Sequence, residues 1–458
     1  MQTKTSFPIV EARWFPVVVL LIGLGIGLFH VFVVPPFQGP DEVQHFLYSA
    51  AHATDKTTIR HIEAQTLQLL KQSKWFHFVG IGPGWENIRR ISDIPFVFHF
   101  DPDKASSRNT AFHLLYGKIL QLSGIKDPLS AFYFLRLIST FFYLVFLMLV
   151  FYFFKRHFPG RWVVLFTGLL VVFQLGTIMN AVNYDVLMVL VGSLFFMGSF
   201  RYLYFGKSLD FLFLMLLAAA AVLIKLTGFI FLIYLLLLPV LRIKPRPGSG
   251  IKWLQYPAMT LIVLILAFGW LNYLLPERFF TLYSQLAKLW NDLSVSLTAQ
   301  GEKALNAGFF NSMIDSFYFC TGWMGFKLNA AWYIAIKVFL AIAAIGLLMA
   351  LFFKKMRAAV LEKKWLLYTG VALALQVFAT WLYYGHMPLS QGRYVYPLIL
   401  PAIVIVYSGL TIVERGLGFK RAYLVLSFIL FQVVLWVFAA ARILTVYYME
   451  IASPHPGL

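Results

Sequence analysis

The sequence predicts an all-α integral membrane protein, a polytopic helical bundle of about eleven transmembrane helices. Three observations carry this reading. Of 458 residues, 60% are hydrophobic and only 12% are charged, whereas soluble domains carry about 25% charge. Apolar runs that reach the roughly 18 residues of a spanning helix recur along the whole chain. Lys and Arg then collect in alternate gaps between those runs, as cytoplasmic loops do under the positive-inside rule.

With Lys4 and Arg13 inside, spans are expected near 15–34, 132–154, 162–179, 185–203, 209–223, 228–241, 253–275, 331–353, 365–383, 394–412 and 422–446. Every basic cluster then lies on one side: Lys155, Arg156 and Arg161; Arg201 and Lys207; Arg242, Lys244, Arg246 and Lys252; Lys354, Lys355, Arg357, Lys363 and Lys364; Arg415, Lys420 and Arg421. The first run is too long for a signal-peptide core and leads into Pro35-Pro36, so it reads as an uncleaved anchor. The 33 residues from Leu209 to Leu241 would make a single helix of about 50 Å, too long for a hydrocarbon core of about 30 Å. Lys225-Leu226-Thr227-Gly228 interrupts them, and two short spans meeting outside preserve the charge pattern. The chain reads as one transmembrane domain, 1–458, with two long extracytoplasmic loops, 35–131 and 276–330. The first holds nine of the 19 acids and has apolar residues at helical spacing from Ile59 to Phe78. The second contains a candidate amphipathic helix from Phe279 to Leu297. Both are expected to place helices along the membrane surface. The C-terminus is expected outside, with no soluble domain after the last span.

A net charge of +19 invites a nucleic-acid partner. The basic residues lie in short gaps between spans, so the bilayer explains them and nucleic acid is not expected. The lone cysteine, Cys320, excludes an intramolecular disulfide and a thiolate metal cluster. It is expected to pack as a small apolar residue.

Chemistry is expected where charge persists against this background. Asp41 and Glu42 follow the first span, in Pro40-Asp41-Glu42-Val43-Gln44-His45-Phe46. A helix starting near Pro40 would put both acids in its first turn, where the macrodipole favours them, with His45 one turn on. Arg393, in Gln391-Gly392-Arg393-Tyr394, is a basic residue on the outer side, placed either to anchor on lipid headgroup phosphate or to clamp a phosphate in a site. Lys225 would cost about 2.5–3.5 kcal/mol at mid-membrane unless paired or facing a cavity. The Thr and Gly beside it favour a helix break that lines one. Arg136 opens the second span, Asn183-Tyr184-Asp185 forms a tight outer turn, and His113 follows Phe112 in the first loop. A divalent ion, if one is used, would fall on Asp41 and Glu42; no other cofactor is expected.

These segments, in this order, resemble the bacterial membrane-protein family known as domain of unknown function 2142. That family is related to the GT-C superfamily of polyprenyl-phosphate-sugar glycosyltransferases, which includes the protein O-mannosyltransferases. The segments are Pro40 to Phe46, Arg136-Leu137-Ile138-Ser139, Asn183-Tyr184-Asp185, Lys225-Leu226-Thr227-Gly228 and Gln391-Gly392-Arg393-Tyr394, with Ser316-Phe317-Tyr318 and Gly322-Trp323 in the second loop. The resemblance implies a GT-C-like bundle in the bacterial inner membrane and an active site on its outer face. Asp41 would be the base or metal ligand there. The partners implied are a polyprenyl-phosphate sugar donor and a glycan, lipid or protein acceptor. In that scheme Asp41, Glu42 and His45 are catalytic. Arg393, Lys225, Arg136, Gln391 and Tyr394 hold the donor, and Asn183, Asp185 and His113 line the substrate site. A transporter or flippase for lipid-linked sugars is the alternative, and a non-catalytic scaffold a third.

Overall fold

The computed structural model describes residues 14–73, 75–78, 87–94, 100, 102, 110–242, 307–320, 327–353, 363–384, 391–419 and 422–449. Every regular element among them is helical. The chain runs through α1 (Phe15–Phe32), α2 (Glu42–Ala53), α3 (Lys56–Gln72), α4 (Trp75–Phe78), α5 (Ala111–Ser123) and α6 (Pro128–His157). α7 (Trp162–Leu170) and α8 (Phe173–Met179) follow, then α9 (Asp185–Phe205), α10 (Ser208–Ile224) and α11 (Ile230–Arg242). The later part holds α12 (Ala307–Tyr318), α13 (Ala330–Phe352), α14 (Lys363–Tyr384), α15 (Ile399–Gly416) and α16 (Tyr423–Leu444).

Seven of these helices are long and apolar enough to cross a membrane, or up to eight if α7 and α8, bent by 65°, count as one broken span. The protein is therefore a multi-pass helical membrane protein, with fewer full spans among the described residues than the eleven expected. α10 and α11, at 17 and 13 residues, are shorter apolar helices. The expected span 253–275 and the helix 279–297 lie outside the described residues. α9 and α10 run antiparallel. Arg201 near the end of α9 pairs with Asp210 at the start of α10, at 3.2 Å, and Asp185 at the start of α9 pairs with Lys225 just past α10, at 2.9 Å. α11 turns back along α9, with Phe231 against Phe195 and Tyr234 against Phe196. The expected break at Lys225 is therefore the tip of a hairpin.

Burial separates the centre from the rim. In α9 and in the segment Gly392–Gly416, 78% and 83% of the membrane-length window is buried; in α1 and α13 it is 28%. These two central segments begin at Asp185 and at Gly392-Arg393, so both bring a charged first turn to the same end of the bundle. The outer helices present Leu21, Ile345, Leu430 and similar side chains outward, as lipid contact requires. α13 crosses α15 closely because Gly346 and Gly409 face one another's helix. A β-carbon on either would collide with backbone of Gly409 or Ala343, the small-residue contact by which membrane helices approach.

Two local expectations change. The helix after the first span starts at Glu42, not Pro40. Asp41 precedes it in the left-handed region (φ 58°) and makes no side-chain cap. The first-loop helix expected along the membrane surface is α3, begun by Asp55, whose carboxylate accepts from Thr57 and Thr58 amides. Its apolar stripe of Ile59, Ile62, Leu67 and Leu70 is buried in protein. The Trp75 indole N–H then donates to the Phe37 carbonyl at 2.7 Å, tying the loop to the end of α1.

Candidate functional site

Four segments remote in sequence meet at this end of the bundle. Arg393 Nη2 donates to Asp41 Oδ2 at 2.6 Å, and Arg393 Nε lies 3.9 Å from Asp185 Oδ2. Asp185 Oδ1 in turn takes Lys225 Nζ at 2.9 Å. The row Asp41–Arg393–Asp185–Lys225 holds two cations and two carboxylates, so it is neutral in sum. That balance is what allows four charges to be largely buried. Aromatic faces complete it: Lys225 Nζ is 4.1 Å from the Tyr184 ring centre and 5.3 Å from that of Tyr394, and Arg393 is 5.4 Å from Tyr394. The most exposed member is Asp41, with 20% of its side chain accessible against 6–10% for the others.

Local structure sets each side chain. Asn183 Oδ1 accepts the Asp185 amide at 2.9 Å, and its Nδ2 donates to the Pro40 carbonyl at 2.6 Å. That turn therefore starts α9 and also pins the Asp41 segment. Gly392 lies against the backbone of Met313 and Phe317 on α12, where a β-carbon would not fit, and its amide donates to Ser316 Oγ at 2.8 Å. Glycine here lets Arg393 enter the bundle. A cavity of about 30 Å³ adjoins the row, walled by Asp41, Arg393, Gln391, Gln38, Gln174 and Thr177 among others. It has room for one or two waters.

Glu42 and Arg136 are not part of this row. They are 0% and 2% exposed and bind each other, with Arg136 Nε to Glu42 Oε1 at 2.9 Å and Nη2 to Oε2 at 2.7 Å. The three remaining Arg136 donors go to the carbonyls of Val31, Val34 and Pro35. Glu42 also accepts the Gly39 and Val182 amides, at 2.8 and 3.0 Å. All five guanidinium donors are used, so none remains for a donor phosphate. The two acids adjacent in sequence thus diverge, Asp41 toward Arg393 and Glu42 toward Arg136. Asp41 and Glu42 do not fit a shared divalent ion, and among the described residues no three of His, Cys, Asp and Glu gather as a metal site would require.

By contrast Arg393 makes one hydrogen bond, to Asp41, while its Nε and Nη1 have no hydrogen-bond partner. Buried guanidinium donors without acceptors are costly, and an anion would satisfy them.

His45 turns from the row to His113, Nδ1 to Nε2 at 2.9 Å, and His113 Nδ1 meets Thr110 Oγ1 at 3.1 Å. Burial pushes both imidazoles well below the usual 6.5, helped for His45 by the charges of Arg393 and Lys225 and for His113 by His45 and His52. A histidine whose pKa falls on folding contributes stability above the unfolded value and loses it as pH drops below. The melting temperature is accordingly expected to hold above pH 6.5 and fall steadily toward pH 5. His45→Gln combined with His113→Gln should flatten that fall; an unchanged slope in thermal unfolding would remove the pair as its cause.

Sequence reasoning did not single out Gln38, Gln174 or Thr177, and it marked Ser316 only as part of a segment that carries the resemblance. Gln174 and Thr177 lie three residues apart within an apolar run, one helix face, and that polarity was the available signal. Cys320 is buried, as expected, and borders the same cavity.

Fold and site together define a multi-pass helical membrane protein with a charge-balanced row at one end of its bundle. No family model, curated protein or solved structure matches the chain.

Proposed function

We propose that this protein is a membrane glycosyltransferase of GT-C type, passing a sugar from a polyprenyl-phosphate donor to an acceptor hydroxyl with inversion. The observation that carries the reading is the pairing of the partly exposed Asp41 carboxylate with an arginine whose Nε and Nη1 make no hydrogen bond, beside a cavity. The described basic residues Lys155, Arg156, Arg201, Lys207 and Arg415 lie toward the opposite end of the bundle. The positive-inside rule supports a site facing away from the cytoplasm, and a bacterial inner membrane is what the resemblance implies.

The chemistry follows from the charges. In the free protein Asp41 and Arg393 hold each other and the cavity is small. A donor phosphodiester competes for Arg393, satisfies its Nε and Nη1, and leaves Asp41 facing the acceptor. Asp41 takes the acceptor proton as the hydroxyl oxygen bonds to the anomeric carbon. The bond from that carbon to the phosphate oxygen breaks with its electron pair, releasing polyprenyl phosphate. Arg393 and Lys225 hold the charge that develops on the leaving oxygen, in surroundings where fixed charges act strongly. Tyr184 and Tyr394 keep the cations in place, and Gln391 borders the cavity. A glycan, a lipid or a protein acceptor fits this scheme unchanged.

Proteoliposomes holding the full chain and polyprenyl-phosphate sugars with a radiolabelled sugar test the reading, with cell-envelope extract supplying acceptors. Transfer of label to acceptor with release of free polyprenyl phosphate is expected. Movement of intact donor across the bilayer without cleavage would replace the transferase by a flippase, for which the broken α7–α8 pair would be a fitting element.

A further inference from the structure

The cavity beside Asp41 and Arg393 also has uncharged polar walls. Gln38 is 2% exposed; its Oε1 accepts from the Tyr447 hydroxyl at 3.3 Å, while its Nε2 has no partner. Gln174 comes from α8, the second half of the broken span, and its Oε1 accepts the Cys320 amide at 3.2 Å. That bond fixes the amide plane. Thr177 lies three residues further on α8, with its hydroxyl 3.4 Å from His30 Nδ1. Ser316 lies in the same wall but is occupied, giving its proton to the Ser312 carbonyl at 2.6 Å and accepting the Gly392 amide. Its part is to position Gly392.

Gln38, Gln174 and Thr177 carry no charge at any ordinary pH. Amides and hydroxyls match sugar hydroxyls, which both donate and accept. A uronic acid would call for a further cation and an amino sugar for a further carboxylate, and among the described residues the charged side chains lining the cavity are Asp41 and Arg393. We infer that Gln38, with Gln174 and Thr177, forms the subsite that recognises the hydroxyls of an uncharged donor sugar. The inference rests on the transferase reading and extends it to substrate class: a neutral hexose or pentose, read next to the phosphate. A sugar ring is larger than the cavity, so the subsite widens as Arg393 leaves Asp41.

The test is binding to the full chain in nanodiscs. The probes are undecaprenyl phosphate, the same lipid bearing glucose, mannose, galactose or arabinose, and one bearing glucuronate. Wild type should bind at least one neutral-sugar lipid about tenfold more tightly than the bare lipid, the value of one or two neutral hydrogen bonds. It should show no such gain for glucuronate. Gln38→Leu should bring the favoured lipid to within about twofold of the bare one, whose Kd stays the same, and the isosteric Thr177→Val should shift it in the same direction. Thermal unfolding of each variant verifies folding, and Thr177→Val alone decides if Gln38→Leu does not fold. A wild-type preference kept in both variants, no preference in wild type, or equal weakening of bare and glycosylated lipid overturns the subsite. If donor is still cleaved in those cases, the transferase reading stands without it. If wild type binds no polyprenyl phosphate at all, both fall.

Discussion

Asp41→Asn is expected to lower sugar transfer by about 10²- to 10⁴-fold, the usual range for losing a positioned general base, while the protein reaches the membrane in normal amount. Asparagine has nearly the same shape and tolerates the left-handed backbone that Asp41 adopts at φ 58°. Its amide oxygen can still accept from Arg393, and Arg393 keeps its second carboxylate neighbour, Asp185. What is lost is the ability to take a proton. The measurement is the initial rate of label transfer in proteoliposomes, normalised to folded protein, together with donor binding. Donor binding should hold or tighten, because the phosphate no longer competes with a carboxylate for Arg393. A rate within a few-fold of wild type would mean that Asp41 is only the resting partner of Arg393, and the chemistry would have to be sought elsewhere.

Arg136→Met should produce the largest loss of stability, about 3–5 kcal/mol, because it leaves Glu42 charged and buried without its partner. The carbonyls of Val31, Val34 and Pro35 lose their donor as well. The double substitution Glu42→Gln with Arg136→Met should recover part of that loss, since glutamine still offers an oxygen to the Gly39 or Val182 amide and carries no charge. Thermal unfolding of the detergent-solubilised chain, followed by size-exclusion chromatography, reads both variants. The outcome separates two roles. A residue that binds donor phosphate would lose donor affinity on substitution with little change in melting temperature. Arg136, as the pin between the end of α1, the start of α2 and the turn before α9, should do the reverse.

The same contrast shows what the sequence could and could not say about the site. Asp41, Lys225, Asp185 and Arg393 stand out in a chain of 60% hydrophobic residues because each is a charge near the end of an apolar run. Glu42 and Arg136 stand out by the same criterion, and nothing in the linear order separates them from the others. Adjacent positions at a helix start point in different directions, so Asp41 and Glu42 go to different arginines. Which arginine remains under-bonded is a matter of counting donors in three dimensions: five used on Arg136, one on Arg393.

The membrane class, the helical fold and the break at Lys225 were legible in the chain itself, because a bilayer demands long apolar helices and tolerates charge only where it is paired or at an edge. Hydropathy measures apolar length, so it marked 162–179 as one span without registering the 65° bend between α7 and α8, and it marked 209–223 and 228–241, where the helices are 17 and 13 residues long. Only the tertiary structure decided that Asp41, Asp185, Lys225 and Arg393 form one neutral row, that His45 belongs with His113, and that Gln38, Gln174 and Thr177 wall the adjoining cavity. Those decisions depend on which helix ends are brought level when the most buried segments, α9 and Gly392–Gly416, pack at the centre. Such long-range proximity leaves no periodic mark along the chain.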